Sequence, residues 1–345
     1  MRRYRVAIVG ATGVVGQELL KILSERDFPV GELTLLASAR SKGKQVEFRG
    51  EVLQVEEVSE GAIAGHDIVF FAAGASVSRE FAQGAAQNGA LVIDNSSAFR
   101  MEPEVPLVVP QVNPDDILKH KGIIANPNCT TTIMVMALKP IDDAAVVKRA
   151  VVSTYQAVSG AGVKAMDALF RESKAYLAGE ETHPGVLPSA SAPKHYQIAF
   201  NVIPQVDVFQ DMMYTKEEWK TVHETAKIMG REFGITATTV RVPVERSHSI
   251  SLNLETRHKL TREQALEILS KAPGIQVIDD PDEMLYPMPF SASGTDLVQV
   301  GRVREDNSIA SGLNLWVVGD QLRKGAALNA VEIGEKALEL ECLAR

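Results

Sequence analysis

The chain has 345 residues, enough for two domains at roughly 150 residues each. Its 45% hydrophobic and 23% charged residues, with 25 Gly and 16 Pro, are those of an ordinary globular protein and exclude disorder as the basis of function. Thirty-six Lys+Arg against 44 Asp+Glu give a net charge of -8, with no basic cluster among the few aromatics, so nucleic acid and anionic membrane are poor partners. The longest apolar run, Ile68 to Ala75, is eight residues, where a bilayer span needs about 20.

The opening Met1-Arg2-Arg3-Tyr4-Arg5 is basic, but no signal-peptide core follows it, so a chain without a leader is expected. Residues 4 to 9 read as a buried strand, and residues 14 to 25 as a helix with Val15, Leu19, Ile22 and Leu23 on one face. Strands at 33 to 37, 68 to 72 and 91 to 93, with a helix over 77 to 88, continue the alternation of a parallel, doubly wound α/β sheet. Further strands are expected at 107 to 109 and 123 to 125. After Pro127 the pattern changes, which places a domain boundary there. The second half alternates with period two at 150 to 154, 238 to 242, 250 to 254, 298 to 303 and 309 to 317, as in a mixed sheet. Helices are expected near 163 to 178, 215 to 232 and 261 to 271, a loop over 179 to 197, and a long amphipathic helix over 321 to 341. The expected plan is therefore a dinucleotide-binding domain, 1–127, to which segment 321–345 returns, and an α+β catalytic and dimerisation domain, 128–320.

Gly10, Gly13 and Gly16 stand between the first strand and the first helix. A strand, a glycine turn and a helix start present free N–H groups and a partial positive charge to a pyrophosphate. The same glycines would also serve a tight turn alone. The second strand ends in Ala37-Ser38-Ala39-Arg40-Ser41-Lys42, without the carboxylate that would bond a ribose 2'-hydroxyl. Hydroxyls and Arg40 grip a 2'-phosphate instead, which favours NADP; a solvated basic loop is the bland alternative.

Only two cysteines occur, Cys129 and Cys342, too few and too far apart for a disulfide scaffold, which fits a reducing cytoplasm. Cys129, in Asn126-Pro127-Asn128-Cys129-Thr130-Thr131-Thr132, sits where a helix begins, and a helix start lowers a thiol's pKa from ~8.5. Local chemistry leaves it open whether this is a nucleophile or a small buried hydrophobe. Cys342 reads as structural.

Those segments, with Asp94-Asn95-Ser96-Ser97-Ala98-Phe99-Arg100, Gln156 followed by Ser159-Gly160-Ala161-Gly162, and Arg241 followed by His248, resemble the aspartate-semialdehyde dehydrogenase family in order and spacing along the whole chain. The resemblance implies an NADP-dependent, phosphorylating aldehyde oxidation, run in the reductive direction from aspartyl phosphate in lysine, threonine, methionine and diaminopimelate biosynthesis. It makes Cys129 the acylated nucleophile, His248 the acid-base catalyst and Gln156 an orienting group. Arg241 would clamp the substrate carboxylate, Glu217 the amino group, and Lys220 with Arg100 the phosphate; Asn128 joins the substrate residues. Gly10, Thr12, Gly13, Val14, Val15, Gly16, Ser38, Arg40, Ser41, Ser159, Gly160, Gly162 and Gln321 match cofactor positions, Gln321 standing for a shorter asparagine. No metal is expected, and a cytoplasmic homodimer or dimer of dimers is implied.

The chemistry needs such groups: a thiolate to add to the carbonyl, a thioester reactive enough for phosphate, and an acid-base group near pH 7. Two tensions remain. Arg241 and His248 are seven apart, so on an unbroken strand they would point oppositely, and a turn at Pro243 to Ser247 is required. Glu217 and Lys220 share a helix face, where a solvated ion pair is the unaided expectation. N-acetyl-glutamyl-phosphate reductase, or a non-catalytic NADP-binding sensor, are the competing functions; Glu217 speaks against the first and Cys129, Gln156 and His248 together against the second.

Overall fold

The computed structural model describes residues 2–343; Met1 of the basic start and residues 344–345 of the returning segment lie outside the described residues. The chain divides into two compact units, one running to Asn128 and resuming at Gly325, the other spanning Cys129–Lys324.

In the first unit β1 (Tyr4–Val9) leads through the glycine turn into α1 (Val14–Glu25). There follow β2 (Val30–Ala37), β3 (Gln45–Phe48), β4 (Glu51–Glu57), α2 (Glu60–Ile63), β5 (Ile68–Phe71), α3 (Ala75–Gln87), β6 (Leu91–Asp94) and β7 (Ile123–Ala125). The sheet order is β3-β4-β2-β1-β5-β6-β7, parallel but for the β3–β4 hairpin. Because side chains alternate across a strand, Val6 and Ile8 join Leu19, Ile22 and Leu23 of α1 on one face, while Ala7 and Val9 join Ala82 and Ala85 of α3 on the other. The strand order reverses at β1 and β5, and ligands of such sheets bind beyond the carboxyl ends at that point.

One local expectation is corrected here, and one element is added. Segment 107–109 is buried but meets the sheet through a single parallel bridge, Leu107 to Ala125. The Asn113 side chain diverts its backbone, accepting from Val109 N–H and donating to the Leu107 carbonyl. The β3–β4 hairpin is new; it reverses at Arg49 (φ 51°) and Gly50 (φ 82°), two left-handed residues as a tight hairpin demands.

The second unit holds α4 (Cys129–Ala145), β8 (Val147–Gln156), α5 (Val163–Ala178), α6 (Lys216–Met229), β9 (Gly234–Arg241) and β10 (His248–Thr256). It continues with α7 (Arg262–Lys271), β11 (Ile275–Val277), α8 (Pro289–Ala292), β12 (Val298–Glu305) and β13 (Gly312–Gly319). The mixed sheet runs β11-β12-β13-β10-β8-β9, antiparallel at its centre and parallel at both ends. Capping boxes, Thr215 with Glu218 and Thr261 with Gln264, start α6 and α7. The strand expected from 309 begins only at Gly312, because the Asp306 carboxylate accepts from Ser308 N–H and its hydroxyl and bends the chain. The 179–197 segment has neither helix nor strand. Just beyond it, Glu172 of α5 accepts from Ile198 N–H at 2.7 Å and anchors the chain.

The single helix expected over 321 to 341 is instead a turn of π-helix, Arg323–Ala327, followed by α9 (Leu328–Glu339). Asp320 causes the delay: its Oδ1 accepts from the N–H groups of Leu322 and Arg323. Leu328, Val331, Ile333 and Ala337 of α9 complete the core around Ile8, Leu19 and Phe28 in the first unit.

Candidate active site

Strand register assembles the second unit's polar centre. The β8–β9 ladder ends on Gln156 paired with Arg241, and the β8–β10 ladder pairs Tyr155 with Ser249, one step short of Gln156 and His248. Gln156, Arg241 and His248 therefore form one row across three adjacent strands. The required turn is present: β9 ends at Arg241, β10 starts at His248, and Ser247 between them has φ 74°. All three side chains are buried, as is Glu217 on α6.

Cys129 is the first residue of α4, and its Sγ lies 3.5 Å from His248 Nε2. The Ala157 N–H donates to His248 Nδ1 at 3.1 Å, so the neutral ring carries its proton on Nε2, facing the sulfur. Burial, reinforced by the charge of Arg241, pushes His248 down to about 3, well below the near-neutral group expected from the reaction class. Gln156 Nε2 donates to Thr130 Oγ1 at 2.8 Å and to Glu217 Oε1 at 3.3 Å. Arg241 Nη1 donates to the Ala157 carbonyl at 2.7 Å, while its buried Nε has no hydrogen-bond partner. Burial lowers the Arg241 guanidinium, with Glu217 and Cys129 opposing the shift.

Glu217 and Lys220 are not the solvated pair that spacing alone suggests. Lys220 Nζ donates to Glu217 Oε2 at 2.9 Å and to Asp207 Oδ2 at 3.1 Å. Burial alone would depress the ammonium, but these two carboxylates hold it above the ordinary lysine range. Asp207 and Thr130 are members of the cluster that the sequence did not single out. Thr130 was legible only as a neighbour of Cys129, and Asp207 gives no local signal at all.

Ser159 and Gly160 lie in the 3-10 turn Val158–Ala161, and Gly162 (φ 86°) starts α5. Gln321 is buried; its Oε1 accepts from Ser247 N–H at 2.7 Å and its Nε2 donates to Ser159 Oγ. Of the other histidines, His120 is buried, with Nε2 against the Cys342 carbonyl at 2.7 Å.

In the first unit, α1 has Gly13 at its N-cap, no side-chain cap and no acidic residue in its first turn. A Cβ on Gly16 would stand 2.3 Å from the Gly10 carbonyl oxygen, so only glycine lets the helix close on the turn. Uncapped N–H groups at the carboxyl end of β1 suit a dinucleotide pyrophosphate. Thr12 Oγ1 donates to Ser41 Oγ at 3.2 Å, and Ser38 and Arg40 are exposed beyond β2. Val14 and Val15 open α1. Arg100 is held by the carbonyls of Asn126 (2.9 Å) and Asn95 (2.8 Å), and Asn128 is buried at the unit's end. Among the described residues no group of three His, Cys, Asp or Glu is arranged to hold a metal ion, and no helix is long and apolar enough to cross a membrane.

Residues 5–120 match the family model described as the semialdehyde dehydrogenase NAD binding domain, and residues 138–324 match the semialdehyde dehydrogenase dimerisation domain. The chain is 54% identical to aspartate-semialdehyde dehydrogenase of Aquifex aeolicus, over 96% of this chain and 97% of that one. It is 50% identical to the Bacillus subtilis protein of the same name, covering 98% and 99%. The crystal structure of aspartate semialdehyde dehydrogenase II from Vibrio cholerae superposes with a TM-score of 0.93 at 45% identity, covering 98% of this chain and 99% of that one; it is also known complexed with ASA. With that likeness running nearly end to end over a nicotinamide-binding domain and a thiol-histidine centre, the chain belongs to the aspartate-semialdehyde dehydrogenase family.

Proposed function

We propose that this chain interconverts L-aspartyl 4-phosphate and L-aspartate 4-semialdehyde with NADP, in the aspartate branch that leads to lysine, threonine and methionine. The observation that carries the proposal is Cys129 Sγ at 3.5 Å from a buried His248 Nε2, with Arg241, Gln156 and Glu217 around the pair. In the reductive direction the Cys129 thiolate attacks the acyl phosphate carbon, forming a C–S bond as the C–O bond to phosphate breaks. The His248 Nε2–H donates to the thiolate and then to the oxygen that gains charge on the acyl carbon. Gln156, fixed by Thr130, orients that carbon. The unpartnered Arg241 Nε supports a clamp on the α-carboxylate, Glu217 the α-ammonium and Lys220 the phosphate. For Arg100 and Asn128, which the first unit carries, substrate binding rests on the family pattern alone. A bound nicotinamide would supply the hydride to that carbon or accept it; in the reductive direction the C–S bond then breaks, releasing the aldehyde and returning the Cys129 thiolate.

The glycine turn of the first unit, Gly10 to Gly16, with Thr12, Val14 and Val15, would hold the pyrophosphate. Ser38, Arg40 and Ser41 would hold the 2'-phosphate, since no carboxylate follows β2. Ser159, Gly160 and Gly162 are proposed cofactor residues of the second unit, and Gln321 serves them through Ser159. Residues 1–127 with 321–345 would form the NADP domain and 128–320 the catalytic one. Exposed Phe170, Tyr176, Phe200 and Phe209 support association through the second unit, as a homodimer or dimer of dimers. A cytoplasmic site fits two cysteines that form no disulfide.

A buried Glu217 supports a substrate with a free amino group over its N-acetylated, one-methylene-longer counterpart. The test is NADPH formation from aspartate semialdehyde with and without phosphate, beside N-acetyl-glutamate semialdehyde. Phosphate-dependent turnover of the first substrate alone is expected; turnover of the second, or of neither, overturns the assignment.

A further inference from the structure

The family resemblance sets Gln321 among the cofactor residues, yet its amide is already engaged. The carbonyl oxygen accepts from Ser247 N–H at 2.7 Å, and the amide nitrogen donates to Ser159 Oγ. The side chain is buried to 1% exposure. Both partners belong to segments that define the surroundings of His248. Ser247 is the residue before it, fully buried and left-handed at φ 74°, a conformation that a non-glycine residue keeps only when its surroundings hold it. Ser159 belongs to the turn after Ala157, whose N–H fixes the His248 tautomer. That turn is laced to the 242–247 connection by Val158 N–H to the Val244 carbonyl (2.9 Å), Ser159 N–H to the Glu245 carbonyl (3.1 Å) and Ser159 Oγ to the same carbonyl (2.5 Å).

The neighbouring Asp320 braces the other side. Its Oδ2 accepts from Arg246 Nε at 2.6 Å and from Gly294 N–H at 2.7 Å. Strand pairing then sets His248 opposite Gly319. Within three consecutive residues, Gly319 pairs with the histidine, Asp320 holds the residue two before it, and Gln321 holds the residue one before it together with the facing turn.

We propose that Gln321 is a positioning residue for His248. It keeps Ser247 left-handed and the Ser159 turn closed, so that Nδ1 stays on the Ala157 amide and the Nε2–H stays on the sulfur. This deepens the proposed function and rests on its assignment of His248. A side chain of similar length without polar groups, Gln321→Met, removes both hydrogen bonds while filling the space. The ring is then free to tilt off the sulfur.

The experiment is a double-mutant cycle on the full chain, following NADPH formation from aspartate semialdehyde and phosphate. Gln321→Met should lower kcat about 10- to 100-fold, the scale of a misplaced catalytic group, with KM for the cofactor within about twofold. In a His248→Asn background the same substitution should change kcat by less than about twofold, because the group through which it acts is gone. A raised cofactor KM with kcat kept, or an equal loss in both backgrounds, overturns the proposal and returns Gln321 to direct cofactor binding or general stability. If His248→Asn alone leaves kcat unchanged, the proposed function fails first, and the cycle shows this separately. Should Gln321→Met fold poorly, Gln321→Leu, which also lacks both polar groups, takes its place under the same two criteria.

Discussion

Gly160 lies so close to His248 that a Cβ on it would stand 3.1 Å from Cε1 and 3.2 Å from Nε2, and 3.2 Å from Arg241 Nη1. Both neighbours are buried and hydrogen-bonded, so neither can give way without leaving its partner. Gly160→Ala is expected to lower kcat about 10- to 100-fold through displacement of the imidazole. Unaltered kcat would mean that the 3-10 turn moves instead of the ring.

Cys129 and His248 carry unequal parts of the proposed reaction. Cys129→Ser replaces a thiol by a hydroxyl of far higher pKa and should abolish both turnover and acylation. His248→Asn should remain slowly active, down by about 10² to 10⁴, the usual contribution of a proton-transfer group. In that variant alkylation of Cys129 at neutral pH measures what the start of α4 contributes alone. A rate no faster than that of a free thiol of pKa ~8.5 would assign thiol activation to the histidine.

Keeping His248 neutral makes stability depend on pH. The ring titrates at about 3 in the folded chain against an ordinary 6.5, so between those values the unfolded chain binds the extra proton. Stability from this residue is complete above 6.5 and lost as pH falls towards 3, by up to about 1.4 kcal/mol per pH unit. Urea midpoints from pH 7 to pH 4 should fall less steeply for His248→Asn than for the unaltered chain; parallel slopes would place the proton uptake elsewhere.

Arg40 is exposed just past β2. One charge-assisted bond to a phosphate is worth about 1.5 to 3 kcal/mol, so Arg40→Ala should weaken NADP roughly 10- to 100-fold and leave NAD nearly unchanged. Equal weakening of both cofactors, measured by titration, would move the 2'-phosphate contact to another residue.

Apolar patterning made α1, β1, β5, β6 and α5 legible within a few residues, because the two helices each bury one continuous face and the three strands, buried on both faces, are near-unbroken apolar runs. The β3–β4 hairpin was not legible: Gln45, Glu47, Glu51 and Glu56 give it the composition of a solvated loop, and only Val46, Phe48, Leu53 and Val55 tie it to the core. Segment 107–109 shows the reverse, an apolar run that is buried without forming a ladder. In the site, Cys129 announces itself by its place before a helix. His248 does not, since its burial comes from register with Gly319 on a strand seventy residues later. Nor does the burial of Glu217, which follows from α6 packing on β9. Such long-range facts entered the sequence reading only through resemblance to a family.

Since Gln156, Arg241 and His248 share one rung of the β9-β8-β10 ladder, their alignment depends on strand length more than on any one contact. Adding one residue within 147–156 would turn Gln156 to the opposite side of the sheet while leaving every side chain of that row chemically intact. A residue added in the 179–197 segment, which pairs with no strand, would shift no rung. Length variation among relatives should therefore collect in that segment and be missing from β8.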